Sequence, residues 1–239
     1  MRLEAVSKSY MHRGRAVAAL DNASLEIATG DFVAVVGPSG SGKSTLLLVL
    51  GGMLSPSMGK VFLNGRSLYE LSPNQRAELR RQKVGFVFQT FNLVPYLTAL
   101  ENVQIPLFLA GLDGAVQKQR AAALLERVGL GDRLDHKPAE LSIGQQQRVA
   151  MARVLANDPQ IILADEPTGN LDPETGQQIL DLLDQMNREG RTVVMVTHDP
   201  RAAARAKRTL RLQDGRILTA SSETFTATGA GQATGVATR

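Results

Sequence analysis

Phe32-Val33-Ala34-Val35-Val36-Gly37-Pro38-Ser39-Gly40-Ser41-Gly42-Lys43-Ser44-Thr45-Leu46-Leu47-Leu48-Val49-Leu50 decides how the rest of the chain is read. The first five residues are continuously apolar, which suits a strand buried on both faces. The Gly-rich turn Gly37 to Ser44 matches G-x-x-x-x-G-K-[ST], and the apolar stretch from Thr45 to Leu50 reads as the helix after it. In that context the glycines turn successive backbone N–H groups inward onto phosphate oxygens, and the helix adds its positive N-terminal end. Lys43 is expected to neutralise β/γ charge and Ser44 to ligate Mg²⁺. The alternative is a chance Gly-rich turn, which needs no flanking strand and helix.

Similar apolar runs recur at Val84 to Phe88, Ile161 to Ala164 and Val193 to Val196. Each is long enough for a strand and short for a helix, so a largely parallel α/β sheet is expected. Between the second and third runs, Thr98 to Asp158 has helical spacing in Ala121 to Val128 and Val149 to Leu155, and reads as a helical insert. Leu3 to Ile27, Lys60 to Leu63 before Asn64-Gly65, and Arg208 to Leu218 around Asp214-Gly215 read as antiparallel strands and turns in a small β-layer beside the main sheet. Ser221 to Arg239 holds almost only Ala, Gly, Thr and Ser and reads as a disordered tail.

Composition narrows the chemistry. The 239 residues carry 27 Lys+Arg against 23 Asp+Glu, a formal charge of +4, with 43% hydrophobic residues, values suited to a globular chain with a sizeable core. With no Cys there is no disulfide, thiolate nucleophile or Cys-ligated metal. The three His, His12, His136 and His198, are too far apart in sequence to suggest a multi-His metal site. Bases are scattered except for Arg201 to Arg211, so no nucleic acid is expected. Met1-Arg2-Leu3-Glu4-Ala5 does not read as a secretory or transit leader, so none is expected, and the longest apolar stretch, Leu46 to Leu54, is far shorter than the roughly 18 to 20 residues that span a bilayer. A cytoplasmic location is expected, with any membrane role exercised through a partner.

Asp165-Glu166-Pro167 closes the third apolar run, at the strand end where ligand chemistry sits in open α/β sheets. Asp165 is the candidate for holding Mg²⁺ through water and Glu166 for general base. A solvated acidic turn is the bland alternative.

Leu141-Ser142-Ile143-Gly144-Gln145-Gln146-Gln147-Arg148 resembles the signature of ABC-type ATPases, and the resemblance runs from Met1 to about Leu218. It implies an α/β nucleotide-binding domain over 1–220: a RecA-like core with an antiparallel β subdomain (1–90 and 160–220) and a helical subdomain (91–159). It also implies ATP and Mg²⁺ as cofactors. Gly37, Pro38, Ser39, Gly40, Ser41, Gly42, Lys43, Ser44 and Thr45 would then hold the phosphates. Tyr10 would stack on adenine, although a Tyr near a strand is also ordinary packing. Gln89 would ligate Mg²⁺ and sense the γ-phosphate, and His198 would contact it. Ser142, with Gly144 and Gln145, would reach the γ-phosphate held by an opposite subunit, so a homodimer with ATP at its interface is implied. Asp172, in Gly169-Asn170-Leu171-Asp172, would touch the dimer partner.

Several of these residues also have local explanations. Ser142-x-x-Gln145 is a capping box, and Asp172 before Pro173 is an N-cap; caps and contacts are compatible. Ile143 stands where the family most often has Gly. A β-branched residue resists φ > 0, so the backbone there is either ordinary or strained.

Phe88 to Val103, together with Thr168 to Asp172, resembles the group driving lipoprotein release, macrolide export and heterocyst glycolipid export. That implies an exporter motor on the cytoplasmic face of the membrane, coupled to a membrane-spanning permease. The alternative class is a soluble ABC ATPase acting on DNA or ribosomes. Those have a long coiled coil between the two halves or two cassettes in one chain, neither of which is seen here. A phosphate-loop kinase would lack the Ser142 signature. Phe91, Leu93, Val94, Pro95 and Tyr96 either seal the insert against the sheet or form an exposed docking groove for the partner.

Overall fold

In the computed structural model, residues 1–218 are described. The stretch 221–239, expected to be a tail, lies outside them. The chain runs β1 (Arg2–His12), β2 (Arg15–Glu26), β3 (Phe32–Val36), α1 (Lys43–Leu50), β4 (Met58–Leu63), β5 (Arg66–Ser67), α2 (Pro73–Lys83) and β6 (Val84–Val87). It continues with α3 (Ala99–Leu109), α4 (Gly114–Arg127), a 3₁₀ turn at Pro138–Glu140, α5 (Ile143–Leu155), β7 (Ile161–Asp165), α6 (Pro173–Arg188), β8 (Thr192–Val196), α7 (Pro200–Ala203), β9 (Arg208–Gln213) and β10 (Arg216–Leu218).

The main sheet has six strands in the order β10-β9-β3-β8-β7-β6. Every pair is parallel except β9–β10. Its central strands are apolar throughout because both faces are covered. Val33, Val35, Ile161, Leu163, Val194 and Val196 enter one core with α1, while Phe32, Ile162, Ala164, Val193 and Met195 enter another with α6. Full burial of such side chains contributes about 1.5–3 kcal/mol each.

The smaller, antiparallel sheet is ordered β2-β1-β4-β5. The hairpin β9–β10 is not part of it, as the alternation of its residues had suggested. Strand β9 extends the main sheet as the parallel neighbour of β3, with Val35 opposite Leu210. Its turn still reaches the small layer, where the Asp21 N–H donates to the Gly215 carbonyl at 2.9 Å.

A third core, with Val103, Leu107, Leu125 and Val149, joins α3, α4 and α5. Thr98 and Glu101 form a capping box that starts α3, and Ser142 and Gln145 one that starts α5. Helix α2 buries no residue and so has no periodic apolar signal; Ser72, Pro73 and Gln75 start it. Arg81 ties it to the end of α3 by donating to the Leu109 carbonyl at 2.8 Å.

Candidate functional site

The loop after β3 is wedged between the two sheets. A Cβ on Gly37 would lie 2.0 Å from the Leu212 carbonyl oxygen of β9, and one on Gly42 would lie 2.0 Å from the Ala19 carbonyl oxygen of β2. Gly42 also has φ +100°, a region that side chains avoid. Helix α1 then begins at Lys43 with no side-chain cap and no acid in its first turn. Its leading N–H groups and the positive end of its dipole therefore lie open to an anion. Lys43 Nζ donates to the Gly37 and Pro38 carbonyls at 2.9 and 3.0 Å, keeping an ammonium over the loop. The buried Ser41 Oγ has no partner among the described residues, while the Ser41 carbonyl accepts from the Gly215 N–H at 3.1 Å. Pro38, Ser39 and Gly40 form the exposed rim, and Thr45 is half-buried behind Ser44. A Gly-lined cradle with a cation and an orphaned hydroxyl fits a polyphosphate.

Asp165 ends β7. Burial pushes its carboxyl above the usual aspartate range, a shift opposed by hydrogen bonding from Ser44, reinforced by the Glu166 charge and opposed by Lys43. A hydroxyl and a carboxylate side by side beneath a phosphate cradle suit a hard cation such as Mg²⁺.

Glu166 has φ +46°, a left-handed backbone costing about 1–3 kcal/mol for a residue with a side chain. The turn is held by Glu166 N–H to the Val196 carbonyl and Gly169 N–H to the Glu166 carbonyl, both 3.0 Å. Its carboxylate meets His198: Oε1 is 2.9 Å from Nδ1, and Oε2 accepts from the His198 N–H at 3.4 Å. The Glu166 side chain is 16% exposed and that of His198 is 72% exposed, so a half-enclosed carboxylate is gripped by a residue open to solvent. Gln89 lies next to this turn; its Nε2 is 3.1 Å from where a Cβ on Gly169 would sit, and its carbonyl accepts from Asn170 Nδ2 at 3.1 Å.

Lys43, Ser44, Asp165, Glu166, His198 and Gln89 thus gather beyond the ends of β3, β6, β7 and β8. The other expected site residues do not join them. Ser142 caps α5, its Oγ accepting from the Gln145 N–H at 3.2 Å while Gln145 Oε1 accepts from the Ser142 N–H at 2.9 Å. Asp172 caps α6 by accepting from the Thr175 N–H at 3.0 Å, and hydrogen bonds from the Thr175 side chain first and its N–H second hold the carboxyl below the usual range. Gly144 and Thr175 bring these two helix starts into contact, since a Cβ on Gly144 would fall 2.3 Å from Thr175 Cγ2. Ile143 has an ordinary helical backbone as the first residue of α5, with its side chain 55% exposed. Tyr10 is exposed on β1, with Lys8 Nζ 5.4 Å from its ring centre.

The apolar stretch after Gln89 is divided. Leu93 packs against the third core, whereas Val94, Pro95 and Tyr96 are exposed. Three polar residues that the sequence did not single out fix this region and the turn after β7. Buried Asn102 accepts from the Val94 N–H and donates to the Val94, Leu97 and Thr98 carbonyls. Arg153 of α5 donates to the Phe91 and Asn92 carbonyls at 2.8 and 2.6 Å. Gln147 of α5 donates to the Pro167 carbonyl at 2.9 Å. One signal was present for Gln147: it lies four residues before Met151 and eight before Leu155, on the buried face of α5.

An α/β sheet with a phosphate cradle after β3 and paired acids at the end of β7 defines a phosphate-loop nucleoside-triphosphatase cassette. The ABC transporter family profile matches residues 20–169. The macrolide export ATP-binding/permease protein MacB of Escherichia coli is 47% identical over 226 residues, 95% of this chain and 35% of that protein. An uncharacterized ABC transporter ATP-binding protein of Thermotoga maritima is 52% identical over 201 residues, 84% of this chain and 86% of that protein. The dimeric structure of MJ0796, a bacterial ABC transporter cassette, superposes with a TM-score of 0.86 at 45% identity, covering 92% of this chain and 97% of that one. A second MJ0796 dimer, in a post-hydrolysis state bound to ADP and Pi, gives 0.86 at 44% identity over the same shares. The chain belongs to the ABC transporter family and is built as an ATPase cassette of that family. It spans about a third of the length of the macrolide-export relatives it matches.

Proposed function

We propose that this chain is the ATP-hydrolysing motor of an ABC exporter or extraction system acting on lipoprotein, glycolipid, peptide or macrolide-like substrates. The observation that carries the reading is the Glu166–His198 pair beside Asp165, at strand ends adjoining the phosphate cradle. The backbone from Gly37 to Thr45 binds the phosphates and Lys43 neutralises them. Mg²⁺, held by Ser44 and Gln89 and through water by Asp165, would offset phosphate charge when bound. Glu166 takes the proton of the attacking water, and His198 holds the carboxylate that receives it. Tyr10 faces the adenine.

Ser142, Gly144 and Gln145 at the start of α5, and Asp172 at the start of α6, lie apart from the cradle, as residues completing the site of a second copy would. The reading is therefore a homodimer with ATP between the copies, each built of a core (1–90 and 160–220) and a helical subdomain (91–159). Among the described residues no helix is long and apolar enough to cross a membrane. A membrane-spanning permease is the partner, with the cassette on the cytoplasmic face of the membrane. Its docking surface includes Tyr96, 83% exposed on the loop that follows Gln89. The fused permease of the macrolide-export relatives supports this reading over a soluble ATPase acting on DNA or ribosomes.

Glu166→Gln is the test. It is expected to retain ATP binding, to lose a factor of about 10² to 10⁴ in phosphate release, and to sediment as a dimer with ATP but not with ADP. Turnover near the wild-type value would overturn the role of Glu166, and a monomer with both nucleotides would overturn the shared site.

A further inference from the structure

Gln147 is fully buried, one of few polar side chains in that state. Its Nε2 donates to the Pro167 carbonyl at 2.9 Å across a separation of 20 residues, while its buried Oε1 has no partner among the described residues. An amide half-satisfied among buried residues opposes folding, and an apolar side chain of the same length would remove the unpaired Oε1 while leaving the Pro167 carbonyl without this donor. The bond itself is what the residue supplies.

Pro167 directly follows Glu166, whose left-handed backbone must be imposed by its surroundings. The N–H and carbonyl of Glu166 are held from β8 and from within the turn. Gln147 reaches the turn from another element, α5, whose first residues carry Ser142. Gly144, three residues earlier on neighbouring helix surface, packs against Thr175. Helix α5 is therefore keyed at one point to the start of α6 and at another to the turn bearing the catalytic carboxylate.

We propose that Gln147 is a positioning residue that fixes the Glu166 carboxylate through the Pro167 carbonyl and couples its placement to that of Ser142 on the same helix. The inference rests on the reading of Glu166 as general base. It adds that the signature helix sets the geometry of its own subunit's base, besides the contact proposed between its N-cap Ser142 and a second copy.

The test compares Gln147→Met in the full chain, alone and combined with Glu166→Gln, by steady-state and single-turnover phosphate release across ATP concentrations, beside a melting curve. Alone, Gln147→Met is expected to lower kcat about 10- to 100-fold, as a misplaced group does. KM for ATP should stay within about twofold, and Tm should change little, because loss of the unpaired Oε1 offsets the Pro167 carbonyl left without its donor. With Glu166 already replaced, the same substitution should cost no further rate, because the group it positions is gone. An equal fractional loss in both backgrounds, or unchanged kcat in Gln147→Met, overturns the proposal. If Gln147→Met fails to fold, Gln147→Leu decides by the same comparison. A normal Gln147→Met beside an inactive Glu166→Gln refutes this inference alone, whereas an active Glu166→Gln refutes the base assignment and this inference with it.

Discussion

Gly144→Ala tests how tightly the starts of α5 and α6 are joined. Its new methyl would lie 2.3 Å from Thr175 Cγ2, with Thr175 Oγ1 at 3.2 Å and Cβ at 3.3 Å. Replacing a helical Gly by Ala gains at most about 1 kcal/mol of helix propensity. Overpacking a contact of this kind costs about 1–3 kcal/mol. Steric cost wins, leaving a net loss of up to about 2 kcal/mol, or a fall in Tm of up to roughly 8 °C for a chain of this size. Thr175→Ser removes only the clashing methyl and keeps the hydroxyl. In the double variant the remaining contacts above 3 Å can be absorbed by small shifts, so Tm should return to the wild-type value or exceed it. Thermal or urea unfolding of the four proteins gives the coupling, expected at about 1–2 kcal/mol in favour of the double variant. Additive effects would refute the account, as would a stabilised Gly144→Ala alone.

Burial raises the carboxyl of Asp165 in the fold above its unfolded value, so ionised Asp165 costs stability once the pH exceeds the raised value, and the cost fades as the pH falls through the unfolded one, about 3.9. Asp165→Asn should thus melt above the wild type at neutral pH and converge on it towards pH 4, while losing Mg²⁺-dependent ATP binding; a Tm difference flat with pH would contradict this. Tyr96→Glu, on an exposed side chain, should change stability by no more than about 0.5 kcal/mol and leave basal phosphate release intact while abolishing co-purification with the membrane subunit. Leu93→Glu should instead lower Tm, because it places a charge in the third core; equal melting of the two variants would show that the apolar stretch is not divided as described.

Local chemistry is what the sequence displays best. Val33 to Val36 and the runs ending at Ala164 and Val196 are apolar because both sheet faces are covered, and this shows without any knowledge of neighbours. Their lateral order does not, since pairing β3 with β8 and β9 joins segments far apart in the chain. For the same reason the hairpin at Asp214-Gly215 was legible as a hairpin while its place on the main sheet was hidden. Helix α2 left no apolar stripe because it buries nothing. Within the site, Lys43, Ser44, Asp165 and Glu166 were legible as motif residues, but the backbone strain at Glu166 and the carbonyl partners of Gln147, Asn102 and Arg153 were not. A buried amide or guanidinium looks like any surface polar residue until the oxygen it serves is placed beside it.

The carbonyl oxygens of Ala19 and Leu212 press on the phosphate loop from opposite sides, one from each sheet. The loop is therefore a keystone as well as a ligand site, seated only while both layers keep their spacing. In a mutational map of nucleotide binding, lesions at the two ends of the chain, in β2 and in β9, would carry the same phenotype as lesions in the loop. Two segments nearly 200 residues apart would look like one functional region, though neither contributes a side chain to the site.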